Sequence, residues 1–466
     1  PPGRFSGGIG ASRYHLMAFA ASRAHHADVG GPTPGSMPAD SRTLEDEGVV
    51  ISPRLLDEDA IAELSGQMRQ PEQRRADLRA QLAAGRVGGR RLLELHERYG
   101  EEKLREAFEE VLNYAERRTR ACIEDLDDGT YEARDVLEAR DGDLDIALKV
   151  TVEGDRLTLD FTGTADQYDG NLNCPLAVTR SACYFAVRVL TDPDIPPSAG
   201  AYRPVEISVP EGCLLNALAG EAGRPRSFPP PSRSDDPPCA PRRARGARGE
   251  YDDPDVSEAP AVAAGNVETS SRVADLVLAA FGRALGQGTM NNLTLGDERF
   301  SYYETLGGGQ GACPDADGPS GVHVAMSNTL NTPIEALERA LPLRVTRYAL
   351  RRGSGGAGAH RGGDGVVREL EALREMTFSL ITERRRHPPP GAHGGQPAAR
   401  GRNLLLEGDA DPGPTIRSRP PGRDPMPQPG SRELPGKVTG VLRPGQRLRI
   451  ETPGGGGDGL PETASR

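Results

Sequence analysis

The stretch 130-TYEARDVLEARDGDLDIALKVTVEGDRLTLDFTGTA-165 sets the fold class. Apolar and polar residues alternate through TYEARDVLEA, LDIALKVTVEG and DRLTLDFTGTA, and DG and EGD punctuate the runs. A side-chain period of two places one face of each run on a core and the other in solvent, which predicts half-buried strands. PLAVTRSACYFAVRVL (175–190) follows as a helix, then the Pro-rich IPPSAGAYRPVEISVPEG (195–212). Strands followed by a helix in this order predict an α+β layer.

Upstream the period changes. Residues 57–125 carry apolar residues at helical spacing among dense mixed charge, with the break RVGG at 86–89 between two helical stretches. This predicts an antiparallel helical hairpin packed on the body. Before it, RYHLMAFAASRA (13–24) is a short apolar run that reads as a strand. Downstream, apolar periodicity disappears over 217–260, where Arg, Pro, Gly and Ala dominate, and the segment is expected to be disordered. A basic nucleic-acid-binding tail and a stretch of coding sequence read out of frame are the other readings of that composition.

Order returns with a helix beginning near Thr269 to Ser271 and running through VADLVLAAFGRAL. Strand-like and Gly-rich pieces follow in TMNNLTLG, RFSYYETLGGGQGA and SGVHVAMSNTLNTPIEALERAL. VVRELEALREMTFSLITERRR and KVTGVLRPGQRLRIETPGGGG are of β type, separated by a Pro-rich link. By composition the chain divides into 1–56 (strand and His/Asp loop), 57–125 (hairpin), 126–216 (α+β), 217–260 (irregular), 261–407 (α+β with a Gly-rich loop), 408–433 (link) and 434–466 (β). The expected class is α+β: mixed sheet layers, packed helices, a helical hairpin and long Gly/Pro-rich loops.

Composition limits the function. The 466 residues are 36% hydrophobic and 4% aromatic, without Trp, and include 58 Gly and 41 Pro, so a folded core interrupted by long loops is expected. A net charge of −11 argues against a general nucleic-acid binder, which gains affinity by neutralising phosphates. No apolar run approaches the length of a membrane span, and the first residues lack a signal-peptide pattern. The six cysteines are scattered without a CxxC, which predicts reduced thiols in a cytoplasmic protein.

Among local patterns, SRAHHADVGG (22–31) stands out. On an extended chain His26 and Asp28 share a face and His25 points the other way. Imidazole and carboxylate suit Zn, Mn or Fe, and Gly30-Gly31 allows close approach. His25 is alternatively a donor to a second carboxylate, and a hydrogen-bonded histidine pair in a turn is the plain reading. GGGQGACPDADGPSG (307–321) lacks both nucleotide-binding glycine patterns. Gly307, Gly308, Gly309 and Gly311 then form either a loop that lets main chain approach a ligand or a structural loop. Glu304, just ahead, is either an acid/base group or a strand carboxylate. Cys313 and His323 lie in one region and form a generic Cys/His candidate, against the commoner reading of an inert thiol. ERRRHPPPGAHGG (383–395) reads as a surface turn, with an anionic ligand or a subunit contact as the alternative.

Taken in order, these stretches resemble the hydantoinase B/5-oxoprolinase family. The resemblance is carried by residues 22–51, 73–85, 157–175, 262–280, 288–296 and 302–323, the NTPIEALE region, RGSGGAGAHRGGDGVVRELE and TPGGGG. It implies the B-type half of an ATP-dependent system whose partner is an actin-like ATPase, the hydantoinase A-type subunit. That partner uses the ATP and activates a cyclic amide such as a hydantoin or 5-oxoproline, and the B-type half opens the ring. Related enzymes carboxylate ketones with similar components, and an inactive assembly partner is a further reading. The resemblance also implies a divalent metal at His25, His26 and Asp28. Family members carry a further His/Asp loop of the type GGTHLPD ahead of this point, so other ligands are expected upstream of Pro1. Leu330 stands where the family is expected to have Arg, and Asp458 where an aromatic residue is expected.

Overall fold

The computed structural model describes residues 16–219, 259–407 and 430–461. The opening stretch forms β1 (Gly129–Ala139), β2 (Gly142–Glu153) and β3 (Arg156–Asp160), antiparallel neighbours turning where the sequence marks them. A fourth strand, β4 (Val205–Ser208), lies parallel to β3 inside the Pro-rich stretch, where the sequence reading places no strand. A parallel partner needs a crossover, and α4 (Leu176–Leu190) lies between the two strands along the chain. Ile146, Leu148, Val150 and Val152 of β2 and Leu157 and Leu159 of β3 are buried. They share one cluster with Ala182, Cys183 and Ala186 of α4 and with Val273 and Val277 of α5 (Ser270–Ala280). Helix α5 starts where its hydroxyl residues predict, after a π-helical turn over Gly265–Thr269, and is buried from Ser270 to Leu278.

The remaining strands form two antiparallel sheets. One has the order β12-β9-β5-β6, from β5 (Asn292–Gly296), β6 (Ser301–Glu304), β9 (Met376–Ile381) and β12 (Lys437–Leu442). The other has the order β11-β10-β13-β8-β7, from β7 (Leu343–Arg351), β8 (Gly365–Ala372), β10 (Arg402–Leu406), β11 (Ser431–Leu434) and β13 (Arg447–Glu451). Leu293, Phe378 and Leu380 of the first meet Leu370, Leu405 and Ile450 of the second in a single apolar cluster. SGVHVAMSNTLNTPIEALERAL contains no strand; its ordered part is the short helix α6 (Ile334–Ala340). The proposed link at 408–433 falls outside the described residues to 429, and β11 begins within its last positions. The irregular segment at 217–260 lies outside them from 220 to 258.

The helical region differs from its sequence reading in an instructive way. It consists of α1 (Glu58–Gly66), α2 (Pro71–Tyr99) and α3 (Glu101–Glu124), and the turn between the long helices is Gly100, not RVGG. Gly100 has φ +80, a conformation open to glycine at little cost. RVGG runs inside α2, and its glycines serve another purpose. A Cβ on Gly88 would lie 3.0 Å from Ala20 Cβ, so the bare helix surface receives the N-terminal segment. That segment is the expected strand at 13–24; its described part, 16–24, is unpaired, because an apolar run makes a strand only when a ladder partner is present.

The Gly-rich stretches that read as separate loops converge. Gly455 donates its N–H to Gly363 O (2.9 Å) and accepts from Gly356 N (2.9 Å). Gly456 O accepts from Ala312 N, Gly457 N donates to Gln396 O, and Gly457 O accepts from Ala392 N. Residues 454–457 are all buried and thread between 309–312, 355–363 and 390–396, main chain against main chain. A Cβ on Gly309, Gly362, Gly455 or Gly456 would fall on a neighbouring carbonyl.

Cys122, Cys174, Cys183, Cys213 and Cys313 are free; Cys239 lies outside the described residues. Among those residues no helix is long and apolar enough to cross a membrane.

Candidate functional site

The His/Asp loop lies on β5: a Cβ on Gly35 would come within 2.7 Å of Thr294 Cγ2, and φ is +84 there. The loop is closed by three side chains. Asp28 is fully buried and accepts from Gly30 N–H (2.8 Å) and Gly35 N–H (2.9 Å). Ser36 Oγ accepts from the N–H groups of Val29 and Gly31. Arg69, just after α1, donates to Asp28 (3.1 Å) and to the carbonyls of Gly31, Pro32 and Thr33. The Gly-Gly pair and the Pro/Gly/Ser run are thus the frame of a tied turn.

The three metal candidates separate on this geometry. His25 is exposed. His26 places Nε2 2.9 Å from Gln81 Oε1 of α2, while its buried Nδ1 has no hydrogen-bond partner among the described residues. A glutamine oxygen holding one ring nitrogen and a bare lone pair on the other is the chemistry of a ligand histidine. Asp28 has the opposite character, because its oxygens are committed to two amides and a guanidinium. The three do not fit a metal as a set, and among the described residues no group of three or more His, Cys, Asp or Glu side chains is placed to hold one.

The stretch ERRRH is not a surface turn. Glu383 is fully buried, and Arg384 and Arg385 are nearly so, because each charge finds a buried partner. Glu383 accepts from Arg272 Nη2 (3.2 Å), Glu138 N and Lys437 Nζ. Arg272 and Arg384 both donate to Asp135 of β1. Glu138 gathers the N–H groups of Arg385, Arg386 and His387. This hub joins the first sheet to β9 and β12. Beside it, Glu268 accepts from Met290 N (3.1 Å) and Asn292 Nδ2 (2.9 Å) through Oε1, while Oε2 has no partner among the described residues.

Burial, then the charge of Glu383, pushes the Glu268 carboxyl up from 4.5 to about 7. The folded chain therefore holds a proton there that the unfolded chain has released. That contribution to stability is fully present below about pH 4.5 and is lost as pH rises through about 7. Glu268→Gln keeps the Oε1 acceptor and removes the titration. The variant is expected to exceed the parent at pH 8 by up to about 3 kcal/mol, with no advantage at pH 4.5. Urea melts at both pH values check this, and an equal difference at the two would refute it.

Glu304 is buried on β6 and accepts from Arg368 Nε (2.9 Å) and Nη2 (3.1 Å) and from Tyr302 OH (2.6 Å). That is the geometry of a strand carboxylate. Gly309 and Gly311 pack on main chain of the glycine assembly, Gly307 on Val322 and Gly308 on the Gln287 side chain. Cys313 Sγ is directed at Ala316 O, whereas His323 turns to Ser327, so the two do not pair. Leu330 is 96% exposed, and Asp458 is buried against His393 Nδ1 (2.8 Å).

A cavity of about 230 Å³ lies between the C-terminal parts of α4 and α5 and the segments 284–286 and 323–327. Phe185, Val189, Leu278 and Val324 give it apolar walls, and Asp275, Gln310, His323 and Ser327 supply polar groups. Sequence reasoning passes over Asp275, Arg69 and Gln81. The available signal is Arg272 and Asp275 within the otherwise apolar run of α5: charges in a buried helix have partners or a purpose.

The family model for hydantoinase B/oxoprolinase matches residues 5–226 and 254–461. The chain is 36% identical over 480 residues to 5-oxoprolinase 1 of Arabidopsis thaliana, covering 95% of this chain and 33% of that protein. It is 30% identical over 467 residues to a protein of Pseudomonas sp. (strain NS671) provisionally named as the B component of a D-/L-hydantoinase, covering 96% of this chain and 71% of that one. The chain thus spans about a third of the length of the oxoprolinase and most of the hydantoinase component. Its fold is similar to the crystal structure of ATP-dependent caprolactamase from Pseudomonas jessenii, with a TM-score of 0.72 and 24% identity over 93% of this chain and 70% of that one.

Proposed function

This chain belongs to the hydantoinase B/oxoprolinase family, and from that premise we propose that it is the B-type component of an ATP-dependent cyclic amidase. Its substrate is a hydantoin or a lactam of the 5-oxoproline kind, and its partner is an actin-like ATPase of the hydantoinase A type. The observation that carries the reading is the family match along nearly the whole chain, joined to two relatives named for cyclic-amide chemistry. An amide carbonyl is a poor electrophile. Phosphorylation of its oxygen by the partner's ATP releases ADP and makes the ring carbon electrophilic. Water adds there, the C–N bond breaks as nitrogen takes a proton, and a second water hydrolyses the resulting acyl phosphate to carboxylate and phosphate. This chain's share is to hold the ring with water at hand.

The test is reconstitution with an ATPase component of the hydantoinase A type. ADP release is expected to depend on an added cyclic amide and to match ring opening one for one. Bicarbonate-dependent consumption of a ketone would replace the proposal with a carboxylase. The absence of cyclic-amide-dependent turnover across hydantoin, 5-oxoproline and caprolactam would overturn it.

A further inference from the structure

Asp275 is 3% exposed, and only one of its carboxyl oxygens is used: Oδ1 accepts from Gly286 N–H at 2.9 Å, while Oδ2 has no partner among the described residues. A buried carboxyl oxygen without a donor is costly, and Asp275 is one of the residues lining the cavity. Across the same cavity His323 sets Nδ1 2.5 Å from Ser327 Oγ, leaving Nε2 as the ring's second polar atom. Burial lowers the His323 pKa, which keeps the ring neutral at pH 7. In the tautomer where Ser327 donates to Nδ1, the Nε2 position carries the proton and acts as a donor. The cavity therefore presents the Asp275 carboxyl, the second nitrogen of His323 and Gln310 beside its apolar walls. Ala325, in the wall, has φ +51, a conformation that L residues adopt at a cost and that collects at binding sites.

We propose that this cavity seats the ring of a small cyclic amide, with Asp275 Oδ2 accepting the amide N–H and His323 donating to the carbonyl. The ligand class follows from the lining: a lactam has N–H and C=O on one edge and methylene carbons on the other. Size agrees, since about 230 Å³ corresponds to roughly seven waters, enough for a five-membered ring with its exocyclic oxygen. The inference rests on the cyclic-amidase reading for its substrate class and makes Asp275 and His323 specificity-determining residues.

The experiment measures binding of 2-pyrrolidinone to the full chain by ligand-observed NMR, beside KM for the cyclic amide in the reconstituted complex. Asp275→Asn removes the full acceptor with little change of shape, and Ala284→Phe fills the rim from a half-exposed position. Both are expected to weaken lactam binding by roughly 10–100-fold and to raise KM alike, with melting temperatures close to the parent. If neither variant changes binding or KM, the cavity proposal falls while the amidase reading stands. If both variants lose lactam binding but the parental complex turns over no cyclic amide, the amidase reading falls and the cavity stands. No binding of the lactam to the parent overturns the cavity outright.

Discussion

Replacing Gly455 by alanine is expected to remove the folded protein, with a loss of at least about 4 kcal/mol. The added Cβ would fall on the carbonyl of Gln310 and the amide of Gly311. Ordinary overpacking costs less because a side chain can rotate away. Here the obstacles are main-chain atoms, and Gln310 O already accepts from Gly363 N (2.9 Å) while Gly455 N donates to Gly363 O (2.9 Å). Relief in one segment would break bonds in two others. Gly89→Ala is the matched control: it lies within α2 with nothing within 4 Å, and it should stabilise by about 0.5–1 kcal/mol. Soluble yield and urea midpoints measure both, and a parental midpoint for Gly455→Ala would show that the glycine assembly has room to spare.

Glu304→Ala is expected to cost about 3–5 kcal/mol, because it strands a buried guanidinium. Arg368 and Glu304 are each 1% exposed, Arg368 Nη1 already lacks a partner among the described residues, and Tyr302 OH would lose its acceptor. The double change Glu304→Leu with Arg368→Met should recover much of the loss, since replacing both charges removes the desolvation cost along with the bond. The outcome separates two roles for this carboxylate. A structural group loses midpoint denaturant concentration in Glu304→Ala. A reacting acid/base group would leave the midpoint in place and lose turnover.

The legible part of the fold is the part whose periods are local. The alternation in β1, β2 and β3, the apolar helix α4 and the start of α5 each announce themselves within about a dozen residues. RVGG misplaces the turn because glycine marks both a chain reversal and a bare surface, and only tertiary structure distinguishes them. ERRRH misleads for a related reason: Arg384 and Arg385 look solvated until Asp135 is brought to the one and Asn291 and Asn403 to the other. At the candidate site, His26 and Asp28 are visible as residues. Their different fates depend on Gln81 of α2 and Arg69 of the α1–α2 connection, in a stretch that carries no sign of the loop. Asp275 can be seen only as an oddity of composition.

The glycine assembly also dictates an order of events. Residues 309–312 and 355–363 are completed by residues 454–457, since the amides of Ala312 and Gly356 and the carbonyl of Gly363 find their partners when that last segment threads between them. On the ribosome the first sheet with α4 and α5 can close early, while the glycine segments remain incompletely paired until 457 has emerged. Contacts so distant in sequence form late and slowly, and a chain interrupted before that point leaves the edges of three unsealed segments open to other chains.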